Sequence, residues 1–463
     1  MFVGRIEDLN FLNKQYHANK FSFIPIYGRR RVGKTTLIKE FIQDKKAIYY
    51  QALEEREELN IERLSNAVSC VLYPDLPKSA QLFRSYTDIF NAISEYAEKE
   101  KIIFIIDEFP YLAKASKSIR SLLQNQIDHH WKDKANIQLI LCGSSMSFME
   151  RQVLGYKSPL YGRKTGQIKL RPFDFYQTQD YFPTMEKEKV AEIYGITGGI
   201  PQYLEQINPE ISTINNIRET FLKKTSLLFE EPQNLLKQEL DDPSSYNSIL
   251  SAIAEGRSRL NEIATKVNIP TSNLSRYLEN LMDLDIVEKK YPIGEERSKK
   301  TIYTIKDSMF RFWFRFIAPN ISQIELGITD FVASSIEMQF PHFMGAVFEE
   351  ISTQYLWKEM RHNNLPTVYR NFGSWWGNNP IERKQEEIDI VGIGFEDEEI
   401  LLAECKWRNE FVSKSVLETL VKRSSIFAEK TKTLYVFSKT SFTKEAIDYS
   451  KKQQLTLIEL QTM

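Results

Sequence analysis

Residues 28–35 read GRRRVGKT, and the organisation of the chain follows from how that octet is placed. It fits the spacing G-x-x-x-x-G-K-S/T. The apolar run FSFIPIY (21–27) leads directly into it, and the helical pattern KTTLIKEFIQ (34–43) opens from its end. A strand, a tight glycine loop and a helix in that order make a cradle for phosphate. Gly28 and Gly33 let backbone amides turn inward at a helix N-terminus. Lys34 is placed to reach the β and γ phosphates, and the Thr35 hydroxyl to ligate magnesium. Arg29, Arg30, Arg31, Val32 and Thr36 complete the expected nucleotide contacts.

A second motif agrees with the first. IIFIIDE (102–108) is an apolar run ending in Asp107 and Glu108, at the carboxyl end of an expected strand. Ligands of open parallel sheets bind at that edge. Asp107 suits the magnesium shell, and Glu108 suits the base that orients an attacking water. Helix capping would account for Asp107 but not for the adjacent Glu108. IQLILCGSS (137–145) ends in Ser144 and Ser145, where a sensor of the γ-phosphate would sit.

The chain has 463 residues, too many for one core, so two to four domains are expected. A hydrophobic content of 42% with 27% charged residues fits an ordinary globular protein. No apolar run is long enough to span a membrane, and MFVGRIEDLN lacks the layout of a signal peptide. Cys70, Cys142 and Cys405 form no metal-ligand spacing and suggest a reducing, cytoplasmic setting. The formal net charge of -1 means that any nucleic acid must be held by local patches.

The first third alternates strands (FSFIPIYG, KAIYYQA, KIIFIIDE, IQLILCGSS) with helical patterns, which predicts a parallel sheet covered by helices. The expected division is a P-loop core over 1–171, a helical lid over 172–240, a winged helix-turn-helix over 241–308 and an α/β domain over 309–463.

Six segments together carry a resemblance: FVGR (2–5), YGRRRVGKTT (27–36), the pair Asp107 and Glu108, GSS (143–145), PLYGR (159–163) and GGIPQYL (198–204). They resemble the archaeal-type ATPases of the AAA+/STAND class, whose members often carry a C-terminal domain of unknown function that looks nuclease-like. The resemblance implies ATP with Mg²⁺ as the bound nucleotide. It sets Phe2, Val3 and Arg5 against the adenine. It makes Arg163 an arginine finger reaching a neighbour's γ-phosphate, and hence implies a homo-oligomer; the alternative is a surface arginine beside Lys164. GGIPQYL, with Pro201, looks like the lid segment, although a helix-capping turn would use the same Gly199 and Pro201.

In the middle, LNEIATKV, NIP and TSNLSRYLENLMDLDIV give a helix, a turn and a second helix whose apolar stripe is Leu274, Leu278 and Leu281. The opposite face shows Ser272, Asn273, Ser275 and Arg276. VEKKYPIGEERSKKTIYTI (287–305) reads as a wing. The arrangement resembles a winged helix-turn-helix whose second helix would enter a major groove of double-stranded DNA. Lys289, Lys290, Arg297, Lys299 and Lys300 make the wing basic, and Glu288, Glu295 and Glu296 offset them. Docking within the protein or between subunits is the alternative use.

Near the end, ILLAECKW (400–407) places Glu404 and Lys406 on one face of an apolar strand. EEIDIVGIG (386–394) is a preceding strand with Asp389 in it, and FEDEE (395–399) makes the turn. A hairpin centred on Asp397 and Glu398 puts Asp389 opposite Lys406 and diagonal to Glu404. Two carboxylates and an ammonium would then suit a Mg²⁺ or Mn²⁺ ion on Asp389 and Glu404, with Lys406 positioning or deprotonating a water. The spacing resembles the PD-(D/E)XK nuclease fold, which adds a glutamate from a helix; GAVFEEISTQYL supplies Glu349, beside Glu350. Ile388 stands where that family often has proline. Trp375, Trp376, Arg370 and Arg383 are the nearest features of a substrate surface. The alternative is a structural ion pair in an inactive module.

The fold expected is therefore α/β: a P-loop parallel sheet with a helical lid, a winged helix-turn-helix, and an α/β restriction-endonuclease-like domain. The function expected is an ATPase controlling a DNA-directed, metal-dependent nuclease. The alternatives are a nucleotide-switched regulatory or scaffold protein with an inert C-terminal domain, and a defence or toxin-like effector.

Overall fold

The apolar runs fold as their composition directs. In the computed structural model, which describes residues 2–75, 82–295, 298, 300–379, 382–396 and 398–463, the first five strands are β1 (Ser22–Tyr27), β2 (Ala47–Gln51), β3 (Ile102–Asp107), β4 (Ile137–Gly143) and β5 (Ile168–Lys169). They form one parallel sheet in the order β2-β3-β4-β1-β5. Every residue of β1, β3 and β4 is buried, as expected for a sheet covered on both faces. One face packs Ile24, Ile26, Ile103 and Ile105 against Leu37, Ile38 and Phe41 of the helix Lys34–Ile42. The other packs Phe23, Phe104, Leu139 and Trp131.

The chain divides into two compact units, Met1–Pro172 with Ile200–Gln202, and Phe173–Gly199 with Tyr203–Met463.

The second unit opens with helices. Gly198 (φ 64°) ends the helix Lys187–Thr197 in the left-handed conformation that favours glycine. A Cβ on Gly199 would lie 2.1 Å from the Phe173 carbonyl oxygen, so no larger residue fits there. The helices Pro243–Ala254, Leu260–Val267 and Thr271–Asp283 and the hairpin β6 (Val287–Lys290) and β7 (Ile302–Ile305) form the winged helix-turn-helix. Leu274, Leu278 and Leu281 are its fully buried stripe, and Ser272, Asn273 and Arg276 are exposed.

A 33-residue helix, Thr329–Arg361, leads to the C-terminal sheet. Its strands are β8 (Tyr369–Asn379), β9 (Lys384–Gly394), β10 (Glu399–Lys406), β11 (Thr431–Ser438) and β12 (Leu455–Glu459), in the order β12-β11-β10-β9-β8. The first three form an antiparallel meander, and β10, β11 and β12 run parallel. The helices Lys414–Ser424 and Lys444–Gln453 connect the parallel strands and bury Leu417, Leu420 and Ala446 on Ile400, Leu402 and Val436.

The register of the C-terminal hairpin corrects the sequence reading. Ala403 pairs with Ile390, so Asp389 falls level with Glu404 rather than opposite Lys406. The β8–β9 ladder also slips here: Gly373 faces Val391 while Trp375 faces Ile388, and Asp389 lies in that irregular stretch. Asp397, one centre of the expected turn, lies outside the described residues.

The wing turns toward the protein. The Ile293 N–H donates to the Ser374 carbonyl of β8 at 3.0 Å, and Ile293 packs on the C-terminal core. That is the docking alternative for the hairpin tip. Glu296, Arg297 and Lys299 lie outside the described residues. Among the described residues, no helix is long and apolar enough to cross a membrane.

Candidate nucleotide site and C-terminal carboxylate cluster

The loop that follows β1 is shaped by positive φ angles. Arg31 (φ 70°) and Gly33 (φ 92°) turn the backbone before the helix Lys34–Ile42, whose first turn receives no side-chain cap. Its N-terminal amides are therefore left for an anion, as a phosphate cradle requires. A Cβ on Gly28 would lie 2.3 Å from the Leu170 carbonyl oxygen, so only glycine fits where the loop leaves the sheet. The buried Lys34 ammonium donates to the carbonyls of Gly28 (2.8 Å) and Arg29 (2.9 Å), which curls it over the loop. Burial pushes its pKa below the ordinary lysine value, and Cys142, Glu108 and Asp107 oppose that.

Asp107 and Thr35 are brought together at the sheet edge. The Thr35 hydroxyl donates to Asp107 Oδ2 at 3.4 Å. A hydroxyl and a carboxylate beside uncapped amides are the donor set that suits a magnesium ion on a nucleotide. Glu108 adopts a left-handed backbone (φ 50°), uncommon for a side chain of its size, which lifts it from the end of β3 into the next helix. The Ser144 hydroxyl, at the end of β4, lies 2.9 and 3.1 Å from the two oxygens of Glu108.

The flanking residues gather around this edge. Arg30 donates to the Tyr111 hydroxyl at 3.0 Å, Arg29 and Val32 are buried, and Thr36 is exposed on the helix. The buried Arg5 donates to the carbonyls of Val32 (3.2 Å) and Arg171 (2.5 Å), which ties the N-terminal segment to the loop. Phe2 packs on the core beneath it, and Val3 is half-buried. The Pro201 ring comes within 3.9 Å of a Cβ built on Gly33. Two neighbours went unread in the sequence. Tyr49 donates to Asp107 Oδ2 at 2.6 Å, and burial together with Asp107 raises its pKa. Cys142 is buried, and its thiol is pushed up by that burial and by Asp107.

Arg163 is bound within its own unit. Its Nε and Nη2 donate to Asp128 at 2.8 and 2.6 Å, and its Nη1 to the carbonyls of Pro159 and Tyr161. To serve as a finger it would leave all four bonds.

In the C-terminal sheet, Lys406 Nζ lies 2.5 Å from Glu404 Oε1 and 3.9 Å from Asp389 Oδ2. The other Glu404 oxygen accepts from Arg423 at 3.0 Å, and Arg423 also donates to Glu386 at 2.7 Å. Asp389 accepts from the Cys405 N–H at 2.8 Å. Burial works against the Lys406 ammonium, yet Glu404 and Asp389 hold its pKa above the ordinary value. Burial and then the Glu404 charge push Asp389 up to about 6. Burial and then the Asp389 charge push Glu349, on the long helix, up to about 8. Asp389, Glu404 and Lys406 thus form an ion-paired cluster, and of these three it is the Asp389 charge that acts on Glu349. Among the described residues, no three or more His, Cys, Asp or Glu side chains are grouped to hold a metal ion. Arg423 and Glu386 were not anticipated from the sequence. Of the expected substrate-surface residues, Trp375 is buried in the core.

Residues 2–207 match the family described as an ATPase domain predominantly from Archaea. An uncharacterised protein of Methanocaldococcus jannaschii is 38% identical over 410 residues, which cover 88% of this chain and 88% of that protein. The chain belongs to this archaeal ATPase family. Residues 313–420 of this archaeal-type ATPase match a family of archaeal and bacterial proteins of unknown function, and residues 248–290 match an IclR helix-turn-helix domain. An uncharacterised ATP-binding protein of the same organism is 56% identical over 46 residues, 10% of this chain and 78% of that one. A solved Walker-type ATPase of Pyrococcus abyssi is 21% identical with a TM-score of 0.49, covering 68% of this chain and 96% of that chain.

Proposed function

We propose that this archaeal-type ATPase binds ATP with Mg²⁺ at residues 28–36 and hydrolyses it, and that nucleotide state controls a DNA-directed, metal-dependent cleavage in the C-terminal domain. The observation that carries the ATPase half is the convergence of Lys34, Thr35, Asp107, Glu108 and Ser144 on uncapped helix amides at one sheet edge. Lys34 exchanges its two loop carbonyls for phosphate oxygens. Thr35 and Asp107 would hold the magnesium, which neutralises charge on the β and γ oxygens. Glu108 orients a water and accepts its proton, with Ser144 fixing its carboxylate. Lys34→Ala should lose tight ATP binding, and Glu108→Gln should bind but not turn over. Unchanged turnover in Glu108→Gln would show that another group is the base.

The cleavage half rests on linked carboxyls: the Glu404 charge raises Asp389, the Asp389 charge raises Glu349, and neighbouring acids of this kind are suited to a divalent cation. Asp389 and Glu349 would hold it, rather than Asp389 with Glu404, because both Glu404 oxygens are already in ion pairs. Those same ion pairs, with the docked wing, favour a second reading: a nucleotide-switched regulator whose C-terminal domain is inert. An assay of double-stranded DNA cleavage with Mg²⁺ or Mn²⁺, with and without ATP, separates the two. Cleavage lost in Asp389→Ala supports the first; absence of cleavage in the wild type supports the second.

A further inference from the structure

Between the hairpin β6–β7 and the long helix Thr329–Arg361 lies a cavity of about 310 Å³ that the ATPase reading leaves without a role. That volume falls at the lower end of the small-ligand range, roughly 300 to 1,000 Å³. Its lining is divided by chemistry. Lys290 from β6, Arg311 and Arg315 from the aromatic segment after the wing, and His342 from the long helix supply nitrogen donors. Tyr303 and Phe343 head the apolar wall. Among the described residues, no carboxylate lines the cavity. The acids that act on these cations do not line it: Glu288 lies 3.1 Å from Lys290, Glu350 lies 3.9 Å from Arg311, and Glu349 feels the charges of both.

Arg311 is held in place by its neighbours. It donates to the Ser308 hydroxyl at 3.0 Å, and its guanidinium lies 5.7 Å from the centre of the Phe343 ring. Its Nε is buried with no hydrogen-bond partner among the described residues. The Arg311 charge on the lining favours a ligand oxyanion in the cavity. Two guanidinium forks and an ammonium around an apolar wall match a tetrahedral oxyanion that carries a flat or apolar body.

We infer that this cavity binds a phosphorylated ligand, with its phosphate on Arg311, Arg315 and Lys290 and its body against Tyr303 and Phe343. A free nucleoside monophosphate and the phosphorylated end of a nucleic-acid strand present the same chemistry. The inference does not depend on ATP hydrolysis or on a metal at Asp389.

The full chain, saturated with ADP and Mg²⁺ so that the P-loop is filled, is titrated calorimetrically with UMP. It is then titrated with a short thymidine strand bearing either a 5′-phosphate or a 5′-hydroxyl. One molecule of UMP or of the phosphorylated strand should bind per chain. Arg315→Gln, at an exposed position, should bind about tenfold more weakly with an unchanged melting temperature, and Arg311→Gln with Arg315→Gln should lose binding. UMP binding identifies a free nucleotide; binding of the phosphorylated strand without UMP identifies a strand end. The inference is overturned if neither ligand binds, if the 5′-hydroxyl strand binds as tightly as the phosphorylated one, or if Arg315→Gln binds as the wild type does.

Discussion

The Ser144 hydroxyl lies 2.9 and 3.1 Å from the two carboxylate oxygens of Glu108. It therefore fixes the rotamer of a residue whose left-handed backbone (φ 50°) already sets it apart from the strand that carries it. The pair joins the ends of β3 and β4, and its geometry decides where the base of the proposed reaction points. Ser144→Ala should retain ATP affinity and slow hydrolysis on the order of tenfold, because the carboxylate loses its orienting donor. Measuring ATP affinity and turnover separately checks this; a loss of affinity with normal turnover would place Ser144 on the phosphate instead.

Arg163 and Asp128 allow the finger proposal to be tested by contrast. If Arg163 acts on a neighbour's phosphate, hydrolysis rises more than linearly with protein concentration. Arg163→Ala then binds ATP without turning it over, and Asp128→Ala, which removes two of the four bonds on the guanidinium, keeps turnover. Equal losses of activity and melting temperature in the two variants would identify the pair as an internal brace.

Gly28 gives a stability test of the loop. A methyl group there meets the Leu170 carbonyl oxygen at 2.3 Å, backbone against side chain, so β1 and the segment after β5 must separate. Gly28→Ala should destabilise the N-terminal unit by ~1–3 kcal/mol and weaken ATP binding with it. A variant that melts and binds as the wild type does would mean that the segment after β5 yields freely.

The nucleotide edge was legible in the sequence because its signals are local. Apolar runs end abruptly in Gly28, in Asp107 and Glu108, and in Ser144, and a parallel sheet aligns such ends. Leu274, Leu278 and Leu281 were legible for the same reason, since helical spacing fixes a face within one element. The C-terminal cluster was only partly legible. FEDEE contains several polar residues on which a turn can centre, and a shift of two residues leaves every side chain on its expected face while changing its partner. Neither Arg423, 19 positions from Glu404 and on another element, nor Tyr49, one of two adjacent tyrosines in KAIYYQA, carried a local mark.

The strongest discrimination of the cleavage proposal lies in pH. Glu349, pushed up to about 8 from an ordinary 4.5, and Asp389, pushed up to about 6 from 3.8, keep protons in the folded chain that the unfolded chain has already released. Unfolding between those limits therefore releases protons, and stability falls as pH rises. The contribution is complete below the unfolded values and is lost as pH passes 8. The melting temperature of the C-terminal unit should decline from pH 5 to pH 8. Glu349→Gln, which keeps the neutral shape, should flatten most of that decline and exceed the wild type at pH 8. A divalent cation competes with the same protons. Mg²⁺ or Mn²⁺ should therefore raise the melting temperature more at pH 8 than at pH 5, and Asp389→Asn should abolish the rise. If the decline persists in Glu349→Gln and neither ion stabilises the chain at either pH, the two carboxyls are structural, and the inert C-terminal domain is the better account.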